Sequence, residues 1–173
     1  MGNVKNDKRD RMWIILFREV SRKKQALTPE ECFGVLERVK RGVLSVNGDL
    51  GYPYGMPMDH WYDRKSGKIY FHCGKKGHRT DALKRDPRAS YCVTEELGKK
   101  PGEWAIDFNS VIVFGKIEVI EDLKTVEDIA RKLSLRFTED TDYIEKEIER
   151  FASSTAILEL TAEHITGKKV NES

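Results

Sequence analysis

The chain has 173 residues, of which 39% are hydrophobic, and this length suits one well-buried domain better than two. Its 31 Lys and Arg residues nearly balance 29 Asp and Glu residues, so a net charge of +2 gives no overall argument for nucleic-acid binding. The three cysteines form no CxxC pair and follow no secretory signal, which indicates a reducing compartment. We therefore expect a soluble, cytoplasmic protein that binds neither nucleic acid nor membrane.

Residues 1–21 predict a leader that is mobile or partly helical, because charged and polar residues dominate its start. Its apolar run, Met12 to Phe17, is too short to span a bilayer, and charged residues follow at once. We do not expect the leader to insert into a membrane.

The first helix is predicted to start after Thr28. Thr28 can act as N-cap, Pro29 suits the first helical position, and Glu31 can complete a capping box. Apolar residues then recur on one helical face, and Gly42 predicts the end of the helix.

The pattern then changes from helical to β. The predicted elements are a strand at 42–46, a hairpin turn at 47–49, a strand at 52–62 and a strand at 68–73. Pro53 and Pro57 both lack an N–H on the same edge of the second strand, so we expect the sheet to be open there. An opening lined by tyrosine and methionine would suit a flat aromatic cofactor, and the alternative is an ordinary edge strand.

The second half of the chain continues this β pattern and adds helices. The predicted elements are a helix at 78–85, a strand at 89–94, a loop at 96–104, a long strand at 106–120, amphipathic helices around 126–137 and 144–151, and a strand at 155–160. About six strands in hairpin-like succession, with peripheral helices, indicate a mainly β fold built on a small antiparallel barrel.

The long strand is apolar on both of its faces. Val111 and Val113 lie on one face, whereas Ile112 and Phe114 lie on the other. A strand with two apolar faces should be covered twice, first by the barrel interior and then by a helix or a second subunit.

The stretch YFHCGKKGHRTDALKRDP, residues 70–87, contains the residues most suited to chemistry. His72 and Cys73 are adjacent in a predicted strand and should point to opposite faces, which argues against shared metal ligation. A nucleophilic Cys73 would need a base on its own face, and none can be identified, so a buried structural cysteine is the simpler interpretation.

An anion site explains more of this stretch. Lys75, Lys76, His78 and Arg79 surround the predicted start of a helix, where free N–H groups already favour negative charge. The flanking glycines allow the main chain to turn closely around a bound phosphate. The alternative is an ordinary solvated basic loop.

Longer motifs resemble the split-barrel flavoproteins related to pyridoxamine 5′-phosphate oxidase, and among these the nitroimidazole-resistance-like branch. The motifs are DLGYPYGMPM at 49–58, KIYFHCGKKGHRTDALKRDPRASYCV at 68–93, SVIVFGKIEVIED at 110–122, RKKQALT at 22–28 and ITGK at 165–168. The resemblance implies one FMN-binding split-barrel domain at residues 22–168, followed by a tail at 169–173. It also implies a six-stranded antiparallel split β-barrel that assembles as a homodimer, with FMN between the subunits.

The resemblance also implies which residues contact the cofactor. Phosphate would be held by Lys75, His78 and Arg79, although the oxidase pattern has Ser-Arg-Lys where this chain has Gly77, His78 and Arg79. Trp104 or Phe108 would approach the cofactor of the partner. The residues expected along the flavin ring and ribityl chain are Leu44, Ser45, Val46, Met56, Pro57, Met58, Phe71, His72 and Cys73.

The function implied by the resemblance is an FMN-dependent oxidoreductase acting on a small substrate, with a nitro compound as one candidate. FAD or a deazaflavin would also suit a phosphate site. A second hypothesis is a flavin- or haem-binding carrier or sensor without turnover, in which His60, His72 or His78 would ligate haem. A third is a barrel that has lost its cofactor site and serves only as a dimeric interaction module.

Overall fold

The computed structural model describes residues 17–99, 101–102 and 104–170, so most of the predicted leader at 1–21 and residues 171–173 of the predicted tail lie outside the described residues. The strands are β1 Arg41–Asn47, β2 Pro53–Asp59, β3 Trp61–Asp63, β4 Lys68–Gly74, β5 Arg88–Lys99, β6 Ile106–Ile120 and β7 Thr155–Val170. The helices are α1 Pro29–Arg38, α2 His78–Arg85, α3 Leu123–Ser134 and α4 Thr141–Phe151, with short 3-10 turns at Lys23–Gln25, Asp49–Gly51 and Ala152–Ser154. The strands form one open antiparallel sheet in the order β2-β1-β5-β6-β7-β4-β3.

The sheet of the described residues has seven strands, so the expectation of six is wrong by one. The predicted strand 52–62 is divided into β2 and β3 at His60, whose ring is fully buried. The main-chain N–H of His60 leaves the sheet ladder and donates to the carbonyl of Lys40 at 3.1 Å. Because of this break, β2 pairs with β1 at one edge of the sheet, while β3 pairs with β4 at the other. The mainly β architecture with peripheral helices is consistent with a split barrel.

Helix α1 starts as predicted but ends earlier. Thr28 and Glu31 form both hydrogen bonds of the capping box. The helix stops at Arg38 because Val39 already has an extended backbone. Gly42, predicted to end the helix, instead lies in β1, where a Cβ would come within 2.4 Å of the carbonyl oxygen of Cys92. A close strand contact therefore explains this glycine.

The second half follows the prediction closely, except in the length of two strands. Helix α2 and strand β6 have the predicted bounds. Strand β5 continues to Lys99 through the first four residues of the predicted loop, and β7 continues to Val170. Both extensions pair with the long strand β6. Hydrogen bonds to a neighbouring strand stabilise them, and such pairing cannot be predicted from the local sequence.

Two apolar clusters hold the fold together. The larger cluster fills the concave side of the sheet and includes Leu44, Phe71, Tyr91, Val111 and Leu158. A smaller cluster packs α3 and α4 against the outer side of β4 and β7. Residues of both β2 and β4 join the larger cluster, so the two ends of the sheet curve towards each other.

The outer face of β6 remains partly exposed. Val111 and Val113 are fully buried, as expected, whereas Ile112 and Phe114 keep 38% and 37% of their surface exposed. The ring of Phe17 stacks on Phe114 with 5.4 Å between ring centres. Within the part of the chain that the structure describes, no helix is long and apolar enough to cross a bilayer.

Candidate functional site

The start of α2 is formed by a short glycine-bounded turn. Strand β4 ends at Gly74, and Gly77 has a φ of +124°, which L side chains rarely adopt. Gly77 occupies the N-cap position, where no side chain of the described residues caps the helix. The first N–H groups of α2 therefore remain available to a bound anion.

Arg79 is the residue of the α2 start whose surroundings best suit a bound anion. Its Nη1 lies 2.7 Å from the Sδ atom of Met58 on β2. Its Nε is buried and has no hydrogen-bond partner among the described residues. A buried guanidinium N–H without an acceptor is unfavourable, and a phosphate oxygen is the kind of acceptor that arginine binds best. The residues present thus fit a phosphate-bearing cofactor.

Lys75 and His78, the other two residues predicted to hold the phosphate, differ in their surroundings. Lys75 is half-buried in the turn before α2. The ring of His78 stacks on Tyr54 with 4.2 Å between ring centres, and its Nε2 lies 3.4 Å from a carboxylate oxygen of Asp49. The side chain of His78 therefore faces an acid, while its main-chain N–H belongs to the first turn of α2.

The residues predicted along the flavin divide by the face of the sheet they occupy. The side chains of Leu44, Val46, Met56, Met58, Phe71 and Cys73 are buried in the core, so only their main chain could touch a group on the outer face. Ser45, Pro57 and His72 alternate with them and point outward. As expected from its prolines, β2 is an edge strand.

Cys73 and His72 point to opposite faces, as predicted. Burial raises the pKa of Cys73, which keeps its thiol protonated and supports the structural interpretation. Among the described residues, no group of three or more His, Cys, Asp or Glu lies close enough to hold a metal ion. Trp104, predicted to approach the cofactor of the partner, is 80% exposed between β5 and β6.

His60 is unsuitable as a haem ligand because both ring nitrogens are already engaged. Its Nε2 lies 2.8 Å from the carbonyl oxygen of Leu36, and its Nδ1 lies 2.7 Å from the Tyr91 hydroxyl. A carbonyl can only accept, so Nε2 carries the proton and Nδ1 of the neutral ring accepts from Tyr91. Burial lowers the pKa of His60 to about 4, which keeps the ring neutral.

A cavity beneath α3 and α4 was not predicted from the sequence. Its volume is about 240 Å³, and it lies between these helices and the outer side of β4 and β7. Its lining residues are His72, Ala130, Leu133, Ser134, Tyr143, Ile144, Glu147, Ile148, Phe151, Ala152 and Thr155. The amphipathic pattern predicted the helices, but nothing in the spacing of their residues indicates a gap beneath them.

His72 connects this cavity to the α2 start. Partial desolvation lowers the pKa of His72, the carboxylate of Asp59 opposes this effect, and the charge of Arg79 adds to it. His72 also lies two residues before Gly74, where β4 ends and the turn to α2 begins. The lining of the cavity and the α2 start therefore meet near the end of β4.

The model of the pyridoxamine 5′-phosphate oxidase family matches residues 28–169. The chain belongs to this family. No curated protein is significantly similar to it.

Solved structures support the same fold. A protein described as a 5-nitroimidazole antibiotic resistance protein from Bacteroides thetaiotaomicron is 19% identical, with a TM-score of 0.66 over 83% of this chain and 86% of that one. An FAD-binding protein from Mesorhizobium loti is 21% identical, with a TM-score of 0.61 over 85% and 98%. An FAD and haem binding protein from Mycobacterium smegmatis is 19% identical, with a TM-score of 0.60 over 87% and 74%. The fold is therefore shared with proteins whose names state that they bind FAD.

Proposed function

We propose that this protein is an FMN-dependent oxidoreductase that acts on a small substrate. The observation that carries the proposal is the buried Nε of Arg79, which has no partner among the described residues and lies at the start of α2. A phosphate bound there would accept from Arg79 and from the free N–H groups of the helix. Lys75 would add a second positive charge, and His78 would contribute its main-chain N–H.

The outer face of β1 and β2 is the surface proposed for the flavin ring. Gly55 lies opposite Ser45 and is exposed, so the main chain of β2 is accessible to a bound group at this position. Pro57 and the main chain of both strands continue the surface. The further contacts proposed are the main chain of Leu44, Val46, Met56, Met58, Phe71 and Cys73, the side chain of His72, and Trp104 of the second subunit. Bound flavin would supply the redox chemistry, while the protein supplies position and electrostatics.

FMN is proposed over FAD or a deazaflavin because its phosphate is terminal, which suits a compact site at one helix start. FAD is the alternative to test first, because two proteins of the same fold are named as FAD-binding. The nitro substrate rests on the name of one structural neighbour. Absorbance of the purified protein, with mass spectrometry of the released cofactor, distinguishes the three flavins.

The first prediction is that Arg79→Ala weakens FMN binding about 10- to 100-fold, because charge-assisted hydrogen bonds contribute about 1.5–3 kcal/mol. Titration of the cofactor-free protein with FMN, followed by flavin fluorescence, measures this change. Lys84→Ala is a matched control, since Lys84 is an exposed cation near the other end of the same helix. Equal FMN affinities for the two variants would place the phosphate elsewhere, and a protein that takes up no FMN would refute the proposal.

A homodimer is the second part of the proposal. Val43, Cys92 and Ile112 are register partners on the neighbouring strands β1, β5 and β6. Phe114 lies in the next outward row, so an apolar face runs across three strands. A second copy of the chain would cover this face and complete the cofactor site from its own residues.

Ile112→Lys should therefore convert the dimer to a monomer, because it introduces a charge at the centre of the proposed interface. Light scattering coupled to size-exclusion chromatography measures the mass. Leu123→Lys makes the same change at the exposed first residue of α3 and should leave the dimer intact. A monomeric parent protein would contradict this part of the proposal. The phosphate site would still be tested separately by FMN binding to the Arg79→Ala variant.

A flavin- or haem-binding carrier without turnover is the second candidate function. It is favoured by the name of the Mycobacterium smegmatis neighbour and by His72 and His78, whose rings are less buried than that of His60. A Soret absorbance band in the purified protein would support haem. Bound flavin that neither NADH nor NADPH reduces would support a carrier.

A further inference from the structure

We propose that the cavity between α3, α4 and the outer side of β4 and β7 binds a small planar molecule that is neutral or singly positive, with Glu147 selecting against anions. The inference deepens the proposed function, because it assigns this molecule as the substrate of the flavin site. Binding itself requires no flavin, so the two ideas can fail separately.

The size and walls of the cavity suit one aromatic ring. Its volume of about 240 Å³ lies below the roughly 300–1,000 Å³ of typical drug-sized sites. Leu133, Ile144 and Ile148 provide apolar walls. Such walls contribute affinity by removing apolar ligand surface from water.

One face of α4 carries the groups that would recognise the ligand. Tyr143, Glu147 and Phe151 are spaced four residues apart, so they follow one another along the same side of the helix. All three line the cavity, and the two aromatic side chains are exposed although large. A carboxylate between two aromatic side chains is suited to a planar ring that carries a positive charge or an N–H donor.

The charge of the cavity excludes anions. Among the described residues that line it, Glu147 is the carboxylate, and there is no Lys or Arg. The lining also includes His72, whose pKa is lowered by burial. Glu147 makes no salt bridge to any described residue, so its charge is not neutralised locally. Arg150 packs over the Phe151 ring at 4.8 Å but is not part of the lining. An anionic ligand would lose water here and meet a like charge.

The position of His72 connects ligand and cofactor. This residue lines the cavity and lies two residues before Gly74, where β4 ends and the turn to the α2 start begins. A ligand in the cavity would therefore lie beside the proposed flavin site. Pyridoxamine 5′-phosphate, which gives the family its name, carries a phosphate for which the described lining offers no cation, so we infer a substrate without phosphate.

Three probes of nearly the same shape test the inference: benzamidine is a cation, benzamide is neutral and benzoate is an anion. Isothermal titration of the flavin-free protein should show benzamidine binding most tightly, benzamide more weakly, and benzoate at least about tenfold weaker than benzamidine, since tenfold corresponds to about 1.4 kcal/mol. Glu147→Gln should remove the preference for benzamidine. Glu149→Gln makes the same change at an exposed position of α4 and should preserve it.

Ala130→Phe tests the location, because its larger side chain would fill the cavity and abolish binding of all three probes. A circular dichroism spectrum and melting temperature close to those of the parent show that this variant folds. Benzoate binding as tightly as benzamidine, or a preference that survives Glu147→Gln, would overturn the proposed selectivity. Binding that survives Ala130→Phe would overturn the proposed location.

A final measurement tests the assignment as substrate. In protein loaded with FMN, benzamidine should change the absorbance spectrum of the flavin, because the cavity adjoins the proposed site. An unchanged spectrum at saturating benzamidine would overturn that assignment. If the protein takes up no flavin, the proposed function fails, and the titrations of flavin-free protein still decide whether the cavity binds its ligand.

Discussion

The start of α2 and the cavity beneath α3 and α4 are neighbours with opposite character. The α2 start is basic and is made by consecutive residues from Gly74 to Arg79. The cavity is apolar with one carboxylate, and its lining comes from β4, α3, α4 and β7. One region would hold an anion and the other would reject it. Two adjoining sites of opposite charge can keep a phosphate-bearing cofactor and a phosphate-free substrate in separate places.

The two regions also differ in how they connect to the core. Arg79 contacts Met58, whose carbonyl oxygen lies 3.2 Å from the Tyr91 hydroxyl, and Tyr91 in turn bonds His60. The α2 start is thus linked to a fully buried histidine. The histidine of the cavity, His72, lies on the outer face and is partly exposed. Acid should therefore act on the first region more strongly than on the second.

The largest expected effect in this comparison is the loss of stability in mild acid. The pKa of His60 is lowered by burial from its ordinary value of 6.5 to about 4, so the unfolded chain binds a proton more tightly than the folded one. The free energy of unfolding should fall as pH drops from about 6.5 to about 4, by a total on the order of 3 kcal/mol. Urea unfolding at a series of pH values measures this slope.

Substitution of each histidine shows which region causes the pH dependence of the free energy of unfolding. His60→Gln should flatten the dependence of stability on pH between 6.5 and 4, whereas His72→Gln should preserve most of it. The carboxylate of Asp59 should affect stability only at lower pH, because Arg41 holds its pKa below the ordinary value of 3.8. A steep slope that persists in His60→Gln and disappears in His72→Gln would reverse the comparison between the two regions.

The same contrast explains what the sequence could predict. The turn and helix at 74–85 were predicted because glycine, cation and helix-start preferences act within a few residues. The division of strand 52–62 was missed because it depends on His60 bonding to Leu36 and Tyr91, which are distant in sequence. The cavity was missed for a similar reason, since helical periodicity shows which face is apolar but not how closely it packs.

The smallest expected effect concerns the two glycines that bound the turn before α2. A Cβ would meet no atom within 4 Å at either Gly74 or Gly77, but Gly77 has a φ of +124°. Gly77→Ala should therefore cost about 1–2 kcal/mol through backbone strain alone and weaken FMN binding by displacing the helix start. Gly74→Ala is the matched control, since it adds the same methyl group without the positive φ, and should change stability by less than about 0.5 kcal/mol. Urea unfolding and FMN titration measure both variants, while benzamidine affinity should stay constant because the cavity is built from other elements. Equal effects of the two substitutions would show that the conformation of Gly77 does not hold the phosphate site in place.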